Sequence, residues 1–433
     1  MSFRSFVKRI IPFGLFKVIE PYGHLLEAVL LNALNGFPAR GLKIIGVTGT
    51  NGKTSTSFMI HRMLTEAGLH AGLMTTVAYG VDRDIRPQIH HMTNVPVPEL
   101  MKRLKWIKSK GAEWLVLETT SQGLAQNRVW GIPYSIAVLT NVTHEHLDYH
   151  KTFERYTEAK LKLFKMVAKN RNGLQTGIVN AEDLQSELFA GSTPNHLSYG
   201  LQKGDVRAEN IKLSPKGSHF RAVATDNTYD IDCHIPGSFY IQNALATVCV
   251  GRIIGLSKQQ IEQGISALEG IEGRMTTIDE GQDFSLIVDY AHTPDSFEKL
   301  FKDLKPVVKG KLIVMFGSAG RRDETKRAVQ GELTGRYADE VVITEEDDRD
   351  VDGDVIMKQI AAGAEQAGKQ RGSDLFLVHD RSAAINFTVK RASKDDLVLL
   401  LGKGHEKTIE RANGENPWDE IGTARQAARA RVS

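Results

Sequence analysis

Gly46-Val-Thr-Gly49-Thr-Asn-Gly52-Lys53-Thr54 follows the apolar run Leu42-Lys-Ile-Ile-Gly-Val47 and precedes a helical pattern from Ser55 to Ala67. A buried strand, a glycine-rich turn and a helix N-terminus make a phosphate cradle, because backbone N–H groups and the helix dipole both favour an anion there. In such a cradle Lys53 reaches the terminal phosphates and the Thr54 hydroxyl serves as a Mg²⁺ ligand. Gly49, Thr50, Asn51, Gly52 and Ser55 make up the rest of the nucleotide-facing turn. The expected ligand is a nucleoside triphosphate, ATP first among them. The usual P-loop has a glycine where Val47 stands. The glycines at 46, 49 and 52 also fit a dinucleotide fingerprint, but that reading leaves Lys53-Thr54 without a task. It also needs an acidic residue about 20 residues on, at the end of a second strand. The chain there reads Leu73-Met-Thr-Thr-Val-Ala-Tyr79, with no acid.

The chain has 433 residues, enough for two or three domains with ample cores. A formal charge of +3 is close to neutral at this length and gives no reason to expect a nucleic-acid partner. The two cysteines, Cys233 and Cys249, sit in unlike contexts. They imply a reducing, cytoplasmic setting and no disulfide framework. No apolar run is long enough to span a bilayer. Arg4, Lys8 and Arg9 precede Ile10-Ile-Pro-Phe-Gly-Leu-Phe16, and Lys17 and Glu20 interrupt the apolar stretch, which makes a poor signal peptide. Two readings stand: an amphipathic helix docked on the body, and a weak membrane-surface contact through the N-terminus.

From residue 42 to about 180, strand and helix patterns alternate. Strands are expected at 42–48, 71–77, 113–119, 135–140 and 175–180, and helices at 54–67, 97–110 and 153–169. Residues 205–235 alternate polar and apolar over short runs, as a small antiparallel section does. Helical patterns follow at 240–255 and 257–268. Glycines at 264, 270 and 273 mark a boundary, after which strands (284–289, 311–316, 340–344, 374–378, 396–401) and helices again alternate. The expected fold class is α/β: a P-loop central ATPase domain with a mainly parallel sheet, plus a C-terminal Rossmann-like doubly wound domain. The expected division is a short segment 1–41, a central domain 42–272 and a C-terminal domain 273–433.

Ligands of open α/β sheets bind beyond the carboxyl ends of the strands, where several polar clusters fall here. Glu118 ends Trp114-Leu-Val-Leu-Glu118, and Asn141 ends Ile136-Ala-Val-Leu-Thr-Asn141, with His144, Glu145, His146, Asp148 and His150 close behind. The histidines alone would suit zinc. Beside a phosphate cradle, a carboxylate with one imidazole suits Mg²⁺ or Mn²⁺. In the second half, Asp289-Tyr-Ala-His292-Thr-Pro-Asp295, Gly317-Ser-Ala-Gly320-Arg321-Arg322-Asp323 and Gly402-Lys403-Gly404-His405-Glu406 each begin at a strand end. Three such turns in one domain imply a ligand-facing surface.

These motifs, in this order, resemble the Mur ligase family of ATP-dependent amide-forming enzymes, and within it the type that adds the third amino acid to a UDP-N-acetylmuramoyl dipeptide. The resemblance runs from about residue 42 to the C-terminus. It rests on Gly49 to Thr54, Glu118-Thr-Thr-Ser-Gln-Gly-Leu124, Asn141 to His150, Tyr156-Thr-Glu-Ala-Lys160, Asn243-Ala-Leu-Ala246, Gly273-Arg-Met275, Asp289 to Asp295 and Gly402 to Glu406. It implies that ATP phosphorylates a substrate carboxylate and that an amine attacks the resulting acyl phosphate. Lys53 would neutralise the transferred phosphoryl group, Thr54 and Glu118 would hold one Mg²⁺, and His146 would help hold a second. Lys160 occupies the place of a lysine that carries a carbamate in many members, which requires a neutral amine and hence desolvation. Asn243 would contact adenine, Arg274 the nucleotide phosphates and Asp289 the ribose. Thr93, Ser121 and Arg128 would face the muramoyl peptide, while Arg349 and Glu406 would face the incoming amino acid.

Two departures stand out. The family usually has a UDP-gripping domain ahead of the P-loop strand, where this chain has 41 residues. An Asp-Asn-Pro-Arg segment typical of members using diaminopimelate reads Glu346-Asp-Asp-Arg349 here. Folylpolyglutamate-type ligases, which also have few residues before the P-loop, and a non-catalytic nucleotide-binding scaffold are the alternative readings.

Overall fold

The computed structural model describes residues 13–88, 92–143, 145–214 and 217–432. The first sheet contains β1 (Lys43–Thr48), β2 (Ala71–Met74), β3 (Ala78–Val81), β4 (Asp84–Pro87), β5 (Trp114–Glu118), β6 (Tyr134–Leu139), β7 (Thr176–Asn180), β8 (Asn195–Gly200), β9 (Val206–Ser214), β10 (Gly217–Ala224) and β11 (Thr228–Cys233). Its order is β11-β10-β9-β8-β7-β6-β1-β5-β2-β3-β4. All neighbours from β2 through β9 across the centre pair in parallel, while β2-β3 and β3-β4 are antiparallel.

The centre is parallel because its strands are apolar on both faces. Ile44, Ile45 and Val47 of β1 are fully buried between flanking helices, the pattern of a strand covered on both sides. Gly46 in its middle leaves room for Tyr134 and Leu163, whose atoms lie 2.7 Å from where a Cβ would sit. The helix Lys53–Glu66 buries Met59, Ile60, Met63 and Leu64, one stripe at helical spacing. The helix Phe153–Lys169 begins at Thr152, whose side chain accepts from Arg155 N, and buries Tyr156, Leu163, Phe164 and Val167. Lys160 lies within that buried stripe.

The alternating section at 205–235 forms β9 to β11, which extend the first sheet instead of standing apart. β8 joins them to the parallel centre and was not anticipated. Only its last two residues, Tyr199 and Gly200, are buried, so it carries no alternating pattern. The N-terminal helix Phe13–Leu34 docks through His24, Ala28 and Asn32. Asn32 Nδ2 donates to Ala28 O (2.9 Å) and Trp130 O (3.2 Å), and Asn127 Nδ2 donates to Pro21 O (3.2 Å).

A second sheet contains β12 (Thr276–Ile278), β13 (Ser285–Asp289), β14 (Leu312–Phe316), β15 (Glu340–Ile343), β16 (Leu375–Leu377) and β17 (Leu397–Leu401), in the order β12-β13-β17-β14-β15-β16. It is parallel apart from the antiparallel edge strand β12. Leu286, Val288, Ile313, Met315, Leu400 and Ala424 belong to its own core cluster. The hairpin β18 (Thr408–Arg411) and β19 (Gly414–Pro417) and the helix Glu420–Val432 were not anticipated.

The chain forms two compact units: Met1–Ile211 with His219–Asp232 and Tyr240–Leu268, and Glu269–Ser433 with Lys212–Ser218 and Cys233–Phe239. No helix among the described residues is long and apolar enough to cross a membrane.

Candidate active site

In the first unit the turn after β1 faces the ends of both neighbouring strands. Register pairs Val47 with Glu118 and Thr48 with Leu139, so Glu118 and the segment after β6 flank the turn. Gly49 (φ 153°) presses against the latter: a Cβ would come within 1.8 Å of Thr140 Oγ1. Asn141 clamps the turn, its Oδ1 accepting from Asn51 N at 2.9 Å and its Nδ2 donating to Asn51 O at 3.1 Å. Gly52 is left-handed at the helix N-cap (φ 83°), and no side chain caps the helix there. That combination leaves the end of the helix free to take an anion.

Lys53 Nζ folds back over the turn, donating to Gly49 O (3.0 Å) and Thr50 O (2.8 Å). Thr54 Oγ1 donates to Glu118 Oε2 at 3.0 Å. Glu118 is 1% exposed and also accepts from Thr76 N (2.9 Å) and Thr76 Oγ1 (3.0 Å). Thr76 Oγ1 is in turn 2.7 Å from Thr93 Oγ1. A buried hydroxyl and carboxylate in contact form an all-oxygen donor set, which fits Mg²⁺ and not the N/S preference of zinc. Thr76 was missed in the sequence; its signal is a polar pair, Thr75-Thr76, directly after the buried strand β2.

Lys160 is 1% exposed, and its Nζ donates to Gly49 O at 2.6 Å and lies 4.4 Å from the Tyr156 ring centroid. Burial, reinforced by the Lys53 charge, holds its amine well below the usual lysine range. Burial likewise raises the Tyr156 phenol, which shares a hydrogen bond with Thr50 Oγ1 (3.0 Å). His146 has φ 56° and its ring packs 6.2 Å from Tyr156; its Nε2 is 3.8 Å from Glu145 Oε2. His144 and the Asp148 side chain lie outside the described residues.

Ser121 Oγ lies 3.0 Å from His150 Nε2, both buried. Asn94 ties this side together: its Nδ2 donates to Glu118 O (2.9 Å), its Oδ1 accepts from Thr120 N (2.8 Å), and its carbonyl accepts from the buried Arg128 guanidinium. Asn243 is 4% exposed, and its Nδ2 has no hydrogen-bond partner among the described residues. Its Oδ1 lies 2.7 Å from where a Cβ on Gly52 would sit, so Asn243 stands at the turn and Ser55 is buried behind it.

The second unit gathers Arg274, Asp289, Arg349 and Glu406. Asp289 accepts from Met275 N and Ala291 N, both at 2.7 Å, while burial raises its carboxyl above the usual range. Its carboxylate thus also fixes the backbone beside Arg274, whose guanidinium stacks 4.6 Å from the Tyr290 ring centroid. Tyr290 OH donates to Glu406 Oε1 (3.2 Å), and Lys403, 1% exposed, bridges Glu406 Oε2 and Asp347 Oδ1. Arg349 is committed to Glu410 Oε2 (2.7 Å) and to Gly320 O. Arg321, also noted in the sequence, is exposed and pairs with Asp350. Glu346 is buried, and its carboxylate has no hydrogen-bond or ion-pair partner among the described residues.

The Mur ligase middle domain family matches residues 47–251, and the Mur ligase glutamate ligase domain family matches residues 273–404. The chain is 38% identical to the UDP-N-acetylmuramyl-tripeptide synthetase of Roseiflexus sp. (strain RS-1), covering 94% of this chain and 82% of that one. It is 36% identical to the UDP-N-acetylmuramoyl-L-alanyl-D-glutamate--2,6-diaminopimelate ligase of Bacillus licheniformis, covering 92% and 81%. A solved structure of a ligase of the latter name superposes with TM-score 0.65 at 29% identity, over 96% of this chain and 83% of that one. The folylpolyglutamate synthase of Mycobacterium tuberculosis superposes with TM-score 0.69 at 16% identity, over 87% and 92%, a likeness of fold alone. The chain belongs to the Mur ligase family and is an ATP-dependent ligase that joins an amino acid to an acid.

Proposed function

We propose that this chain adds an amino acid with a distal amine to a UDP-N-acetylmuramoyl peptide in the cytoplasm, a step of peptidoglycan synthesis. The observation that carries the reading is the buried Thr54–Glu118 contact beside an uncapped helix N-terminus, with Lys53 and Lys160 both donating to Gly49 O. The names of the relatives support the acceptor. Functionally, residues 1–41 form a short lead segment, 42–272 the ATP-binding domain and 273–433 the amino-acid domain.

The acceptor carboxylate attacks the γ-phosphorus of ATP, the bond to the bridging oxygen breaks, and ADP leaves. The amine then attacks the acyl carbon, phosphate departs with the electron pair, and the amine loses a proton. Lys53 balances the charge of the transferred phosphoryl group. Thr54 and Glu118 would hold one Mg²⁺ and His146 would help hold a second, which when bound would supply further charge neutralisation. Lys160, neutral through burial, is suited to condense with CO₂ to a carbamate, releasing one proton. Asn243 is assigned to adenine, Arg274 to phosphate and Asp289 to ribose. Thr93, Ser121 and Arg128 are assigned to the muramoyl peptide, and Arg349 and Glu406 to the amino acid. The basic residues Arg4, Lys8 and Arg9 support a weak contact of the N-terminus with a membrane surface.

Phosphate release with mass spectrometry of products tests the reading. Release is expected only when both a UDP-muramoyl dipeptide and an amino acid are present, in equal amount to product. ATP turnover indifferent to both substrates would overturn it.

A further inference from the structure

The helix Phe13–Leu34 is held to the body by one face and shows solvent an apolar one. Tyr22 (70% exposed), Leu26 (61%), Leu30 (52%) and Leu34 (80%) recur every fourth residue, so they form a single stripe. Apolar residues exposed singly need no explanation; four aligned on one helix do. Its two described acids, Glu20 and Glu27, lie against His24 (3.8 and 3.4 Å), a residue of the docked face.

A second feature adjoins this helix. Asn32 bonds to Trp130 O, and Gly131 lies so close to Asn32 that a Cβ would be 3.0 Å from its Nδ2. Trp130 and Gly131 open a groove of about 570 Å³ whose other wall is the helix Phe153–Lys169. That wall contributes Met166 and the exposed lysines Lys162, Lys165 and Lys169, spaced three and four residues apart and therefore on one helix face. None of the three lysines has an ion-pair or hydrogen-bond partner among the described residues.

We propose that this face, the apolar stripe together with the lysine-rimmed groove, docks the protein on an anionic lipid surface. The helix would lie in the headgroup boundary with its leucines toward the acyl chains. Tyr22 and Trp130 have the amphipathic rings that favour that depth. Unpaired lysines gain from the negative surface potential of anionic lipids. A second copy of the chain is disfavoured as occupant, because apposed copies would bring like-charged lysine rims together. The proposal extends the N-terminal contact suggested above to a folded face, and the two fail separately.

The full chain is sedimented with vesicles of phosphatidylglycerol and phosphatidylcholine, and with phosphatidylcholine alone, at low and high salt. Binding is expected to the anionic vesicles and to weaken with salt. The combined Lys162→Glu, Lys165→Glu, Lys169→Glu variant should bind more than about tenfold less tightly. The combined Leu26→Ser, Leu30→Ser variant should lose binding at every salt concentration. A variant with Arg4, Lys8 and Arg9 changed to Ser reports only on residues 4–9 and should keep most binding. Ligase turnover with soluble substrates is the folding control. Equal partition of the unaltered chain and both face variants overturns the proposal. So does light scattering that shows a dimer dispersed by the leucine substitutions.

Discussion

Lys160 Nζ and Lys53 Nζ donate to the same acceptor, the carbonyl oxygen of Gly49, at 2.6 and 3.0 Å. Two ammonium groups sharing one carbonyl repel, and Lys160 is the buried one, so it is the one that loses its proton. A neutral, inward amine is the species that reacts with CO₂. Incubation with ¹³C-bicarbonate should give a carbamate carbon resonance that Lys160→Ala abolishes, and turnover should fall on the order of a hundredfold in that variant. Full activity in Lys160→Ala, with no bicarbonate effect on the unaltered chain, would remove the carbamate from the mechanism.

Glu118 accepts three hydrogen bonds, from Thr54 Oγ1, Thr76 N and Thr76 Oγ1. Glu118→Gln keeps the shape but removes the charge a cation needs. The Mg²⁺ concentration for half-maximal turnover should rise about 10- to 100-fold. Thr76→Val leaves the carboxylate in place while deleting one donor, so a smaller shift in the same direction is expected. A Mg²⁺ titration unchanged by Glu118→Gln would assign that carboxylate to structure.

In the second unit, the two residues of the Glu346–Arg349 segment proposed to meet the amino acid differ in their hydrogen bonding. Arg349 is occupied by Glu410 and Gly320 O, whereas the buried Glu346 carboxylate is unpartnered among the described residues. Lysine or ornithine, ending in a lone ammonium, should therefore be joined in preference to diaminopimelate, whose far end also carries a carboxylate. In competition assays read by mass spectrometry, Glu346→Gln should narrow the preference of lysine over the uncharged norleucine by about tenfold. Diaminopimelate winning that competition, with Glu346→Gln without effect, would reverse the assignment.

The alternating strands and helices were legible because parallel strands such as Ile44-Ile45 and Leu397–Leu401 are apolar on both faces and their helices carry one stripe. β8 was not, since only Tyr199 and Gly200 are buried. Nor were β18 and β19, whose residues are largely polar and half exposed. At the site, Glu118 could be read from its position at a strand end and Thr54 from the glycine-rich turn that opens its helix. Thr76 and Asn94 could not, because their role arises from hydrogen bonds to Glu118 across 42 and 24 residues of chain. The saturation of Arg349 by Glu410, 61 residues away, was equally invisible.

His61 couples the first unit's stability to pH. It lies on the buried face of the helix Lys53–Glu66, its Nε2 is 3.0 Å from Ala71 O, and burial lowers its pKa to about 4 from 6.5. The folded-state value lies below the unfolded one, so the unfolded chain binds the extra proton first. Stability should therefore be full above the unfolded value and decline as pH falls through 6.5 toward 4. Between pH 6.5 and 5, before most carboxylates titrate, the loss from this group is about 1.5 kcal/mol. Three of the four tryptophans, Trp106, Trp114 and Trp130, lie in the first unit, so urea unfolding followed by their fluorescence reports on it. The midpoint should drop between pH 7 and 5, and His61→Gln, which cannot titrate, should flatten the slope while lowering the midpoint at pH 7. An equal slope in both proteins would place the pH sensitivity elsewhere, with the buried His405 as the next group to substitute.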